Sequence, residues 1–281
     1  MANAFMTTGT EVSAIVPKQW SEKYYDVLLA ELPMNSLISK DWEGDISNIG
    51  DTVNIPTIPE FLEGSELPEA DAADAEAVTV TTQPLVINKR IVKDFIVTNK
   101  ALLQSIPFVE KLKDLAIYSI QKKIQSLILS LTVPSAAAPD HTLAAVSAGV
   151  YALADILAQK ELLDNQNVPM SDRHLAMGAG PLNDIFNITG FTSSDFVASG
   201  SPLQSGQLPA QLVGFMPHFS TVFGSTVYAF HSSYFTMAAQ QGMAVNEYDL
   251  GVEGRRAKRV NCDTLLGMKQ LSNIRVVTLT V

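Results

Sequence analysis

The sequence predicts an α+β fold with a projecting β arm, and three observations carry that expectation. Two β-like runs, GDTVNIPTIP (residues 50–59) and AVTVTTQPLVIN (77–88), stand on either side of an acidic segment that cannot form a core. A long amphipathic helix pattern, PFVEKLKDLAIYSIQKKIQSLILSL (107–131), follows them. The chain then closes on further strand patterns, MAVNEYDL, RRAKRVNCDTLLGMKQ and NIRVVTLTV, so helices and strands are not interleaved as in a βαβ chain.

The first element is AIVPKQWSEKYYDVLLAEL (14–32), extended before Pro17 and then carrying Trp20, Tyr24, Val27, Leu28 and Leu32 at helical spacing. It predicts a mobile arm that ends in an amphipathic helix closed by Pro33. From Asp41 to Asn88 there is no Lys or Arg, whereas Glu63, Glu66, Glu69, Asp71, Asp74 and Glu76 cluster between the two β runs, giving the block the solvated character of a projection. Pro56, Pro59 and Pro84 each remove a ladder donor, which suits an exposed ribbon and not a central strand. With ~20 residues in each limb at ~3.3 Å apiece, the ribbon would reach several tens of ångströms from the body. Such a ribbon is marginal alone and needs a surface to lie on. The return limb continues as RIVKDFIVT (90–98), with Ile91, Phe95 and Val97 on one side.

In the long helix, Leu112, Leu115, Ile120, Ile124, Leu127 and Leu131 mark one face, and Pro107 suits its first turn. At 1.5 Å per residue it is a rod of ~37 Å. PSAAAP (134–139) breaks the chain, and Leu143, Val146, Val150, Leu153, Ile156, Leu157 and Leu162 predict a second helix over 141–163. RHLAMGAG reads as a buried strand and PLNDIFNI as a short helix. From Phe196 to Asn246 no Asp, Glu, Lys or Arg occurs, which predicts a sheet region with broad neutral faces.

With 281 residues, of which 47% are hydrophobic and 17% charged, the chain can bury one sizeable core or two modest ones. Its net charge of −10 argues against a dedicated nucleic-acid binder, which needs a basic footprint. No signal-peptide pattern and no apolar run of membrane-spanning length occurs, and the single Cys262 cannot form an intrachain disulfide, so cytoplasmic synthesis is expected.

Motifs that carry chemistry are missing. His141, His174, His218 and His231 are scattered, without metal-ligand spacing, and no cofactor is expected. MGAGPLND (177–184) lies between a strand and a helix pattern like a dinucleotide turn, but Asn183 stands at the third glycine position, and a tight turn explains it better. No G-x-S-x-G or P-loop is present, and acidic side chains on a solvated loop lack the preorganisation that catalysis requires. No catalytic or metal-binding residue is assigned, and no enzyme is expected.

The order of these pieces resembles the major capsid proteins of tailed bacteriophages with the Hong Kong 97-type fold. The resemblance spans nearly the whole chain and rests on GDISNIGDTVNIP (44–56), the helix after the arm, GFMPHFS (214–220) and the closing KQLSNIRVVTLTV (269–281). It implies an N-terminal arm (1–40), an extended β-hairpin loop (41–97), a peripheral domain (98–140 and 238–281) with a spine helix at 107–131, and an axial domain (141–237). It further implies self-assembly of pentamers and hexamers into an icosahedral virion shell around double-stranded DNA, put together in the host bacterial cytoplasm. Implied partners are a separate scaffolding protein, a portal protein, an optional decoration protein and packaged DNA held without strong specific binding; no membrane is involved. The expected intersubunit contacts are Trp20, Tyr24 and Leu28 of the arm helix, and the arm-tip acids Glu63, Glu66, Glu69, Asp71, Asp74 and Glu76 meeting Arg255, Arg256, Lys258 and Arg259 of a neighbour. An encapsulin-like nanocompartment shell is the nearest alternative, and a soluble α+β enzyme a more distant one.

Overall fold

The computed structural model describes residues 28–46, 50–61, 63–64, 66, 75–99, 109–188, 211–250 and 257–281. In chain order its elements are α1 (Met34–Leu37), β1 (Thr52–Thr57), β2 (Thr81–Val86), β3 (Lys89–Thr98), α2 (Val109–Leu131), β4 (Thr142–Ala144), α3 (Leu153–Asn165), β5 (Arg173–Met177), α4 (Ala179–Phe186), β6 (Met216–Phe219), β7 (Thr226–His231), β8 (Phe235–Asp249), β9 (Ala257–Gln270) and β10 (Val276–Thr280). They form a two-stranded ribbon β1-β2, a five-stranded mixed sheet ordered β4-β10-β7-β5-β6, and a three-stranded antiparallel sheet ordered β3-β9-β8. The chain is mixed α+β, as expected.

The five-stranded sheet is covered on both faces. Side-chain alternation sends Leu175, Met177, Val227, Ala229, Val277 and Leu279 into one core with Ile156 and Leu163 of α3 and Ile185 of α4. The alternate residues Ala176, Phe230 and Val276 enter a second core with Ile120, Ile124 and Ile128 of α2 and Val260, Cys262 and Leu266 of β9. Double burial explains why every residue of β5 is buried, although the strand opens on Arg173 and His174, whose polar atoms are met by Asp164, Val168 O and Pro169 O and by His218. Residues 30–31 run along the seam between α2 and the five-stranded sheet: Tyr118 Oη donates to Ala30 O at 3.0 Å, and Ser220 Oγ to Glu31 O at 2.6 Å.

Several expectations are corrected. Pro33 does not close a helix but precedes one: it caps the short α1, whose Met34 is fully buried, while residues 28–32 are not helical. Trp20 and Tyr24 lie outside the described residues. The helix expected over 141–163 is two elements: Thr142–Ala144 pairs in parallel with β10, and the helix begins only at Leu153. Gly149, at φ +78, bends the intervening chain in a way a helix does not allow. The carboxylate of Asp155 then accepts from Ala152 N at 2.8 Å and Val146 N at 2.9 Å, fixing that loop onto the first turn of α3. Val276–Thr280, expected with the peripheral strands, is hydrogen-bonded inside the five-stranded sheet, and Lys89–Thr98 joins β9 and not the ribbon.

The ribbon is shorter than expected and better supported. Its pairing covers Thr52–Thr57 against Thr81–Val86, six residues a side or about 20 Å. Ile55, Leu85 and Ile87 are buried with Ala238 beside Trp42 and Leu265, so the base of the ribbon sits on its own chain. Gln83 Nε2 donates to Leu271 O at 3.3 Å and Gln240 Nε2 to Gly50 O at 3.1 Å, tying both strands down. Gly267 permits the crossing, since a Cβ there would stand 2.7 Å from Val86 O. Beyond Thr57 and before Thr81 the described residues form no strand. Pro59 and the acids offer no ladder and nothing to bury.

Candidate assembly surfaces

The surfaces that could receive another copy are those this chain leaves open. Past the seated base of the ribbon, Ile58 is 70% and Phe61 65% exposed, and Val78 and Val80 are also exposed. Glu63, Glu66 and Glu76 are exposed beside them; Glu69, Asp71 and Asp74 lie outside the described residues. An apolar pair flanked by acids on a projecting arm is costly in water unless something covers it.

The outer face of the three-stranded sheet is the second open surface. Strand register aligns Ile96 with Arg259 and Tyr248, Asp94 with Asn261 and Asn246, and Val92 with Asp263 and Ala244. Val92, Ile96 and Tyr248 are exposed around a charged centre. There the Asp94 carboxylate accepts from both Arg259 and Asn261, and the hydrogen bond from Arg259 holds its pKa below the ordinary carboxylate range. Arg90 donates to Asp263 at 2.9 Å while keeping most of its side chain exposed. On the sheet's border, Lys113 of α2 bridges Glu110 at 2.7 Å and Glu247 at 2.6 Å, with Lys258 3.8 Å from Glu247. Lys113 thereby lowers the pKa of Glu247.

The expected basic cluster is therefore divided. Lys258 and Arg259 already face acids of their own chain, whereas Arg255 and Arg256 lie outside the described residues. Leu28 is 93% exposed, on the non-helical stretch that enters the seam.

A third surface has no signal that periodicity could rank. Helix α3 buries Asp155 and Gln159 with Ile156 and Leu163, and presents Leu153 and Leu157 outward beside the exposed Val146 and Val150. The inward polar groups are spent on local structure: Tyr151 Oη donates to Gln159 Oε1 at 2.6 Å, and Asp155 holds the preceding loop. The helix thus turns a part-polar face inward and leaves leucines exposed on the other.

Gly178, in the suspected dinucleotide turn, caps α4 at a place where a Cβ would lie 2.0 Å from Gly224 O, so the turn is a close backbone crossing. Among the described residues no group of three or more His, Cys, Asp or Glu side chains could hold a metal ion, and no helix is long and apolar enough to cross a membrane. Cys262 is buried, and burial pushes its thiol pKa up. The scattered histidines are a different matter: the sheet brings His174 and His218 to 3.1 Å, a juxtaposition their 44-residue separation does not reveal.

No family model matches the sequence, and no curated protein does either. Solved structures do match. The capsid of the cyanophage P-SCSP1u superposes with a TM-score of 0.80 over 99% of both chains at 11% identity. A structure from Mycobacterium phage Che8 gives 0.77 over 94% of this chain and 96% of its own at 19% identity. The mature capsid of bacteriophage PhiM1 gives 0.72 over 99% and 97% at 10% identity. The chain thus has the fold of phage capsid subunits, from end to end.

Proposed function

We propose that this chain is the major capsid protein of a tailed bacteriophage, a structural and non-enzymatic subunit of the Hong Kong 97 type that self-assembles into the icosahedral shell around a double-stranded DNA genome. The observation that carries the reading is the full-length superposition on capsid structures, with both chains covered almost completely. A shared local motif would not extend across arm, sheets and closing strand together. The open arm, sheet face and helix stripe supply what a shell subunit needs: apolar surface left exposed within one copy.

In this reading residues 1–40 are the N-terminal arm, 41–88 the extended loop, α2 the spine helix, and the three-stranded sheet the peripheral domain. The five-stranded sheet, including β10, is the axial domain. Strand pairing supports moving 89–98 to the peripheral part and 276–280 to the axial part. The net charge of −10 suits a container that lets DNA slide without gripping it. A separate scaffolding protein, a portal and an optional decoration protein complete the proposed assembly, formed in the host cytoplasm.

Expression of the chain with and without its neighbouring gene products, followed by negative-stain electron microscopy, tests this. Closed shells or capsomers support it. A small shell that holds a protein cargo and no DNA would turn the reading to a nanocompartment, and a compact monomer under all conditions would remove the shell altogether.

A further inference from the structure

A row of rings runs along the face of the five-stranded sheet turned toward α2, and no surface described above uses it. Pairing of β5 with β6 sets Ala176 opposite His218, so His218 lies on the same face as His174, the one turned toward α2. His174 is only 8% exposed, and its Nδ1 is 3.1 Å from His218 Nε2. The His174 ring packs on Phe230 with centroids 5.5 Å apart, Phe230 on Tyr234 at 5.0 Å, and Tyr234 on Phe235 at 5.6 Å. Tyr234 Oη meets Thr132 Oγ1 at 3.2 Å, immediately past the end of α2. The sheet edge is thereby linked ring by ring to the long helix.

The charged surroundings are unfavourable to added protons. Desolvation is the largest influence holding His174 down, to about 4, and His218 and His231 act in the same direction; Asp172 is the acid that opposes them. His218 on β6 is likewise lowered by burial. His231, on β7, is lowered by burial and then by Arg275 and Arg173. Arg173 on β5 is committed to Asp164, Val168 O and Pro169 O, and Arg275, ahead of β10, donates to Ser233 Oγ at 2.7 Å. The last turn of α2 contributes no basic residue. Between two imidazoles one N–H donates to one lone pair, so the pair holds with no proton or one proton added. A second added proton leaves two donors face to face in a buried site.

We propose that the His174–His218 pair is an acid-sensitive latch, which keeps the five-stranded sheet closed on the α2 core near neutral pH and releases that seam when both rings become protonated. The latch is a property of the single subunit, so it stands or falls apart from shell assembly. In a shell it would let the two sheets change their mutual tilt without unfolding.

Two measurements on the full-length soluble chain test the latch. Histidine ring NMR should show His174 and His218 titrating as a coupled pair, well below the ordinary histidine value; independent titration of both near that value would overturn the proposal. Hydrogen exchange, corrected for the intrinsic pH effect, should rise about tenfold in β5 and β7 as pH falls toward 4, before β3 and β9 respond. His218→Gln keeps a hydrogen-bonding partner that cannot charge, and should move this opening down by roughly one pH unit. An unchanged acid midpoint in His218→Gln, or simultaneous exchange of all three sheets in the wild-type chain, would sink the idea.

Discussion

The five-stranded sheet and the ribbon with its neighbouring three-stranded sheet satisfy their residues in opposite ways. In the first, both faces are buried by helices and side chains of the same chain, and even its charged residues, such as Arg173, spend their donors internally. In the second, one face is buried on α2 and the other keeps Val92, Ile96 and Tyr248 in the open beside a projecting arm. Under the proposed function, the difference separates residues that determine whether the subunit folds from residues left open for another copy. Substitutions can be chosen to act on one and not the other.

The largest contrast is expected between two glycines. At Gly178 a Cβ would fall 2.0 Å from Gly224 O, backbone against backbone, where the buried end of β5 passes into α4. Gly178→Val should cost about 3 kcal/mol or more in denaturant unfolding. At Gly267 the obstacle is Val86 O at 2.7 Å, on a ribbon that can lift. Gly267→Ala should cost about 1 kcal/mol globally and show itself as faster exchange at 52–57 and 81–86. Equal global losses for the two would erase the proposed division.

Acid should divide the same regions. A histidine whose pKa is depressed in the fold, as His174 is to about 4, binds protons more readily unfolded, so its contribution is present above the unfolded value and is lost as pH falls through the folded one. The seam should weaken by about 1 to 2 kcal/mol between pH ~6.5 and ~4, less than the bare shift implies because the rings still meet some solvent. Asp94 and Glu247 are also depressed, from ordinary values of 3.8 and 4.5, through Arg259 and Lys113. Their contribution is present above those ordinary values and is lost as pH falls through them toward the depressed ones. Thermal unfolding followed with local probes in each sheet should register the seam first on acidification.

Helix α3 supplies a gentler test of the open surfaces. Leu157 is 48% exposed, so Leu157→Glu should change subunit stability by less than about 0.5 kcal/mol. If its stripe meets another copy, the same change should reduce assembly about tenfold in light scattering. Assembly that proceeds unaltered would leave the stripe as ordinary exposed surface.

How far the sequence reveals this division depends on the range over which the signal acts. The long helix was legible because Ile120, Ile124, Leu127 and Leu131 recur at helical spacing, although the face it buries runs through Ala116 and Ile128, and β5 because Leu175, Ala176 and Met177 lead into a glycine-bearing turn. The two β runs were legible as a ribbon, but the acids and prolines between them suggested longer pairing than the six residues a side that the described strands form. What stayed hidden depends on partners far along the chain. Leu143 reads as helix until it pairs with Leu279, the base of the ribbon reads as unsupported until β9 passes beneath it, and the histidines read as scattered until three strands align. The open faces were the least legible, because a leucine at helical spacing looks the same whether its own chain or another covers it.

The smallest effect, and the most specific, concerns the charges. We expected the arm-tip acids to meet four basic residues of a neighbour, but Lys258 and Arg259 already have acidic partners in their own chain, so reversing them tests the fold as well as the contact. Arg255 and Arg256 carry the proposed intersubunit pairing with Glu66 and Glu69. An exposed pair contributes only ~0 to 1 kcal/mol and is screened by salt, so one subunit would scarcely notice its loss. Repeated around a closed shell, such terms add, and they steer the arm into register before Ile58 and Phe61 are covered. Reversing Arg255 and Arg256 to Glu should leave subunit unfolding unchanged, and should lower shell yield or the salt concentration at which shells fall apart. Reversing Glu66 and Glu69 to Lys in the same chain should restore part of the loss, because complementarity returns with its sign exchanged. Arg259→Glu should instead destabilise the subunit, since Asp94 would then face a second carboxylate, and the tip reversal should not rescue it. If the double reversal fails to rescue Arg255 and Arg256 while assembly still depends on them, their partner is some surface other than the arm tip.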